Sequence, residues 1–339
     1  MLDPVEQALR SVVRPIRLLA AGGTIAMSGE RAVPALDADQ LIAALPALQA
    51  VPELRAENVL ALPGPQITLA DALQLARRAT AAATDGDGIV ITTGTDTLEE
   101  LAVLCSLLYA SSPEDPPIVL TGANRPASNP GADGPANLLD AVALAGAGQA
   151  GGLGAVVVFG GEIHPAMTVR KIDSTGPAAF GSPAAGPIGR IVEGRVWLHA
   201  RPLRNQHHLA PSTLDHRVAI ITAALGDDGA LLDTAAAGSD GLVVVAFGAG
   251  HLSPGMARAL RAATERIPVL LTCRPERSQM LFSTYGFEGA ERDLRVSGAV
   301  CVPFLSPVAA RIALLCCLGA GLVGDALATA LAPFDARLP

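Results

Sequence analysis

The stretch "GIVITTGTDTLEE", residues 88–100, decides the fold. Its opening, "GIVITT" (88–93), is an apolar run without polar alternation, the pattern of a strand buried on both faces. Its close reads as a helix start, with Thr97 and Glu100 at the spacing of a capping box. Between the two stand Gly94, Thr95 and Asp96. A strand that turns through one glycine into a helix is half of a βαβ unit, so the neighbouring strand should run parallel.

The same unit recurs outward in both directions. "IRLLAA" (16–21), "PIVLTGA" (117–123), "GAVVVFGG" (154–161), "RVAIITAAL" (217–225), "GLVVVAFGAG" (241–250) and "IPVLLTC" (267–273) read as further buried strands. Helical patterns fill the intervals. "TLADALQLARRATAAA" (68–83) spaces Leu69, Ala72, Leu73 and Ala76 along one face behind a Thr68 cap. "PANLLDAVALAGAG" (135–148) has proline in its first turn, and "SPGMARALRAA" (253–263) joins a Ser253 cap to Pro254. This alternation predicts an α/β fold: a doubly wound, mostly parallel sheet in a larger N-terminal domain, and a smaller α/β C-terminal domain. The polar, Pro- and His-bearing stretch 195–216 breaks the alternation. The expected domains are therefore 1–200 and 217–339, joined by a linker at 201–216.

Composition narrows the function classes. Half of the 339 residues are apolar, enough for a sizeable core. The apolar run "IALLCCLGAGLVG" (312–324) falls short of the roughly 20 residues of a membrane span and reads as a buried helix. Asp3 and Glu6 stand where a signal peptide would be basic, and Arg10, Arg14 and Arg17 interrupt any apolar core, so the cytoplasm is the expected location. A formal charge of −8, without long single-sign blocks, argues against nucleic-acid binding. The five cysteines lack C-x-x-C spacing and read as buried thiols, with no metal site expected.

Ligands of open parallel sheets bind beyond the carboxyl ends of the strands. The residues there are Gly22-Gly23-Thr24, Gly94-Thr95-Asp96-Thr97 and Ala123-Asn124-Arg125. They offer hydroxyls, a carboxylate and the free N–H groups of a helix start, which suit a substrate carboxylate or a developing oxyanion. No G-x-G-x-x-G, Walker or G-x-S-x-G motif accompanies them. Lys171 is the only lysine of the chain, which favours a chemical role over a solvated surface position.

"GGTIA" (22–26), "GTDTLEE" (94–100), "TGANRP" (121–126) with "ADGPANLLDAV" (132–142), Lys171 nine residues before Phe180, and "TYGFEGAERDL" (284–294) occur in register. Together they resemble the bacterial L-asparaginase family, from about residue 16 to the C-terminal helix. The resemblance implies an amidohydrolase with Thr24 as nucleophile and Thr95, Asp96 and Lys171 as its second hydroxyl, carboxylate and lysine. A threonine hydroxyl attacks well only when something takes its proton, and lysine can do so in its neutral form. The resemblance further assigns Gln66 and Asp96 to the substrate amino group, Gly94 to the substrate-facing turn, and the Ala123 carbonyl to the leaving amide. It implies a small-molecule amide substrate, no metal or organic cofactor, no nucleic-acid or membrane partner, and a homo-oligomer, dimer or tetramer. Two other readings are a silent binding or sensor protein on the same fold, and the asparaginase-like subunit of a tRNA-dependent amidotransferase. The second usually has an extra N-terminal domain, whereas about 15 residues precede the first strand here.

The chain departs from the family pattern in places. Pro65 replaces the usual Ser before Gln66, and Thr93 replaces a His. "MSGERAVPALDAD" (27–39) lacks the family's supporting Tyr, with Ser28 or Glu30 as nearby substitutes. His251 stands for an Asn, and Gln279 for an acidic residue that many members supply from a neighbouring subunit.

Overall fold

A computed structural model describes residues 3–28, 33–34, 36–202, 208–277 and 279–334. The chain divides into two compact units, Met1–His208 and Leu209–Pro339.

The first unit runs α1 (Pro4–Arg10), β1 (Ile16–Gly22), β2 (Met27–Ser28), β3 (Val33–Pro34), α2 (Ala38–Ala43), β4 (Leu54–Leu62), α3 (Leu69–Thr84), β5 (Gly88–Thr92) and α4 (Leu98–Leu108). It continues with β6 (Ile118–Thr121), α5 (Gly134–Gly146), β7 (Ala155–Phe159), β8 (Glu162–Pro165), β9 (Arg170–Lys171), β10 (Phe180–Gly181), β11 (Gly189–Val192) and β12 (Arg195–Leu198). Eight strands form one sheet in the order β12-β11-β8-β7-β6-β5-β1-β4. The five from β7 to β4 are parallel, and β8, β11 and β12 extend the sheet antiparallel.

Register explains why the parallel strands read as continuous apolar runs. Leu18, Val90, Val119 and Val156 form one row across four strands and pack with α1, α2 and α5. The alternate row, Leu19, Ile91, Leu120 and Val157, faces the opposite side of the sheet and is fully buried. Helices α3 and α4 pack against each other and against strands of this sheet. With both faces covered, the middles of β5, β6 and β7 are wholly apolar, and polar residues fall at strand ends, as Thr92 and Thr121 do.

Helix starts follow their caps with one correction. Thr68 caps α3 through a reciprocal bond with Asp71, and Ser253 caps its helix by accepting from the Met256 N–H. The expected Thr97–Glu100 box is not made: Thr97 precedes α4 without a side-chain cap, and its hydroxyl reaches the Gly64 carbonyl at 3.4 Å. The hydroxyl donates to a distant carbonyl instead of accepting from the local N–H. The polar stretch from residue 195 is not wholly irregular, because Arg195–Leu198 is the edge strand β12.

The second unit comprises β13 (Val218–Thr222), α6 (Ala230–Ala237), β14 (Gly241–Ala246), α7 (Pro254–Thr264), β15 (Val269–Cys273), α8 (Glu291–Leu294), β16 (Val300–Cys301), α9 (Pro307–Gly319) and α10 (Gly324–Leu331). Its four strands are parallel in sequence order. Ile221, Val244, Leu271 and Cys301 form a row that shares a core with residues of α6 and α7. The apolar 312–324 run lies largely in α9, which packs against β13, β14 and β15. All five cysteines are buried free thiols, and burial raises the Cys105, Cys273 and Cys317 thiols to about 12. No helix among the described residues is long and apolar enough to cross a membrane.

Candidate active site

The sheet order fixes where the site residues gather. β1 hydrogen-bonds β4 on one side and β5 on the other; the chain leaves β1 toward β4 and leaves β5 toward β6, in opposite directions. That reversal opens a crevice at the carboxyl ends of β1 and β5. Thr24 follows β1, and Thr95 and Asp96 follow β5.

Glycine holds these turns together. Gly23 has φ 78°, and a Cβ there would lie 2.2 Å from the Gly94 nitrogen. A Cβ on Gly94 would in turn lie 2.7 Å from the Gly64 Cα. The backbones after β1, β5 and β4 therefore touch directly, an approach that only glycine permits. The same contact brings the Thr24, Thr95 and Gln66 turns to one edge. Gln66 ends the 3-10 turn Gly64–Gln66, in which Gly64 is buried and Pro65 and Gln66 are exposed.

Lys171 arrives from a separate ribbon. β9 and β10 pair only with each other, with Lys171 opposite Phe180. Lys171 Nζ donates to Thr95 Oγ1 at 2.9 Å and to Asp96 Oδ1 at 2.7 Å. Its side chain is 20 % exposed, and that of Asp96 is 59 % exposed. The structure thus joins Thr95, Asp96 and Lys171 in one hydrogen-bonded set. Thr24 reaches the same edge through the Gly23–Gly94 contact.

The turn after β6 completes the edge. Ala123 is buried. Both oxygens of Asp133 accept backbone N–H groups, from Asn124 at 3.0 Å and from Arg125 at 2.9 Å. Asn137 donates to the Gly122 carbonyl and accepts from the Gly160 N–H, each at 3.0 Å. It ties the ends of β6 and β7.

Two family models match the chain: "Asparaginase, N-terminal" over residues 15–204, and "Glutaminase/Asparaginase C-terminal domain" over residues 217–331. This chain belongs to the asparaginase family. It is therefore an enzyme, a hydrolase of amide bonds. It is 38 % identical to "Probable L-asparaginase" of Deinococcus radiodurans over 314 residues, 90 % of this chain and 93 % of that protein. It is 32 % identical to "L-asparaginase 2" of Bacillus subtilis, covering 89 % of this chain and 82 % of the relative. The crystal structure of "Probable Cytoplasmic L-asparaginase from Campylobacter jejuni" superposes with a TM-score of 0.75 at 28 % identity, covering 90 % and 95 % of the two chains.

Within this asparaginase-family chain, three supporting residues escaped the sequence reading. Glu99 accepts the Lys171 backbone N–H at 2.9 Å and so anchors the lysine strand to α4. Burial raises the Glu99 carboxyl, opposed by that hydrogen bond and by Arg170 and Lys171. Asp133 and Asn137 are the other two. All three lie inside the quoted motifs, which was the available signal. Of the proposed lid substitutes, Glu30 lies outside the described residues, and Ser28 is placed only as backbone of β2.

In the second unit His251 follows a turn ending at Gly250. Its Nε2 is 2.9 Å from Glu291 Oε2, and its ring meets Tyr285 and Phe287 edge-on at 5.1 Å. Glu291 Oε1 accepts the Thr284 and Tyr285 N–H groups at 2.7 and 2.6 Å. Burial opposes its ionisation, yet these donors, Tyr285 first, hold the carboxyl below its ordinary value. Gln279 is exposed.

Proposed function

We propose that this chain hydrolyses the side-chain amide of L-asparagine, or of a closely related amide, to the acid and ammonia through a threonine acyl-enzyme. The observation that carries the reading is Lys171 Nζ within hydrogen-bond reach of both Thr95 and Asp96, beside the Thr24 turn. The names of the relatives support the substrate class.

Thr24 Oγ attacks the amide carbon, its proton passes to the amide nitrogen, and the C–N bond breaks to release ammonia. Water then attacks the ester carbon. Its proton passes through Thr95 to the Lys171 amine and returns from that ammonium to Thr24 Oγ as the ester C–O bond breaks, which frees the acid and restores the hydroxyl. Asp96 balances the Lys171 ammonium formed in that step, and with Gln66 it binds the substrate ammonium. The N–H groups around Gly94 face developing negative charge at a helix start. The Ala123 carbonyl accepts from the leaving amide. No cofactor takes part in this scheme.

This reading places catalysis in an N-terminal domain, residues 1–200, with a linker at 201–216 and a C-terminal domain at 217–339. A cytoplasmic homo-oligomer, dimer or tetramer, goes with it. Five unpaired thiols suit a reducing compartment. Light scattering after size exclusion tests the assembly.

The function is tested by ammonia release from L-Asn, D-Asn, L-Gln and β-aspartyl amides, with Thr24→Ala run beside the parent. Thr24-dependent release from L-Asn is expected. Release from another amide alone would overturn the substrate, and no release from any would favour a silent binding protein.

A further inference from the structure

His164 is fully buried on β8, and its environment is unusual. Its Nδ1 lies 3.2 Å from Ser182 Oγ. Its Nε2 is also buried, makes no hydrogen bond, and stands 3.7 Å from Glu162 Oε2. Glu162 is itself bonded to Arg190 Nη2 at 3.0 Å. The carboxylate favours the tautomer with its proton on Nε2, which leaves Nδ1 to accept from the Ser182 hydroxyl. Desolvation lowers the His164 pKa, with Glu162 opposing, so the ring stays neutral at neutral pH and that direction of donation is kept.

Ser182 directly follows β10, the strand that pairs with β9 and sets Phe180 opposite Lys171. This ribbon is only two residues deep and belongs to neither large sheet. It needs anchors on the main fold. Glu99 anchors β9 through the Lys171 N–H. Phe180 packs on Phe159 of β7 with ring centroids 5.0 Å apart. Asn124 Nδ2 holds the ribbon's connecting loop at the Gly176 carbonyl, at 2.9 Å. The His164–Ser182 bond is the polar anchor at the far end of β10, where the ribbon rejoins β8 and β11.

We infer that His164 and Ser182 are positioning residues for Lys171: their hydrogen bond fixes β10 against β8, and β10 fixes the strand that delivers the lysine amine to Thr95. The inference rests on the proposed role of Lys171. Neither residue touches substrate. A burial this complete, with one ring nitrogen left unsatisfied, is costly to keep for packing alone. A displacement of the amine of about 1 Å lowers turnover by up to about a hundredfold, so a partly loosened ribbon should lose about tenfold.

The test is a double-mutant cycle with Ser182→Ala and His164→Leu, read as kcat and KM for L-asparagine on folded protein, with Lys171→Met as reference. Each single change is expected to lower kcat about tenfold with KM within about twofold, and the double variant to fall no further, because both remove one bond. Unchanged kcat in Ser182→Ala, or losses that multiply to about a hundredfold in the double variant, would overturn the inference. Should His164→Leu fail to fold, the kcat-against-KM split of Ser182→Ala decides alone. If Lys171→Met itself stays active, the catalytic reading falls instead, an outcome distinct from failure of the tether.

Discussion

Two carboxylate pairs, Asp96 with Lys171 in the first unit and Glu291 with His251 in the second, are built in opposite ways. Asp96 is 59 % exposed, holds Lys171 by one oxygen, and shares that lysine with the Thr95 hydroxyl. Glu291 is 2 % exposed; one oxygen takes two backbone N–H groups, and the other meets His251. A carboxylate with both oxygens engaged, buried under a loop, is committed to structure. A pair that leaves carboxylate surface open and includes a hydroxyl can change partners, as proton transfer requires. The first pair should therefore control turnover, and the second stability.

The largest expected break in this contrast is Lys171→Met. It should lower kcat about a thousandfold with little change in Tm, checked by steady-state ammonia release beside calorimetry. Asp96→Asn should cost about a hundredfold in kcat/KM, with much of it in KM, because the substrate ammonium loses its counter-charge. Glu291→Gln should do the reverse. Leaving part of its donor set unsatisfied costs about 1–3 kcal/mol of stability, while kcat of the folded protein should change by less than about threefold. A large kcat loss there would bring His251 into the chemistry and erase the contrast.

The pH dependence sharpens the second half. The Glu291 carboxyl is held below its ordinary 4.5, so its stabilisation is full above that value and is lost as pH falls through the lower native value. The Tm gap between parent and Glu291→Gln should accordingly shrink on acidification. Asp140 gives the opposite and smallest effect. Burial raises its carboxyl from 3.8 to about 7, so the native state keeps a proton that the unfolded chain has released. Stability should fall as pH rises from about 4 to 7, and Asp140→Asn should gain about 1–3 °C in Tm at pH 8 and nothing at pH 4.

How far the sequence revealed this follows the same physics. Strands buried on both faces, such as β5 and β14, were legible as unbroken apolar runs. β4 was not, because its residues are only partly covered and its pattern is mixed. The short antiparallel strands β8, β11 and β12 carry too few residues for a period. Thr24, Thr95, Asp96 and Lys171 stood out as candidates because turn glycines and a unique lysine mark them, and the structure hydrogen-bonds Lys171 to Thr95 and Asp96. Thr97 was misread because its hydroxyl bonds Gly64, 33 residues earlier, and no local spacing announces that. The His164–Ser182 bond was invisible for the same reason, since 18 residues separate the two and no strand pairing links β8 to β10.

The central claim is that Thr24 carries the acyl group. Acid-quenched enzyme mixed with L-asparagine, digested and read by mass spectrometry, tests it most directly. The account predicts one aspartyl adduct on the peptide containing Thr24, accumulating further in Lys171→Met if deacylation is the step that lysine serves. An adduct on the Thr95 peptide instead, or full turnover by Thr24→Ala, would contradict it.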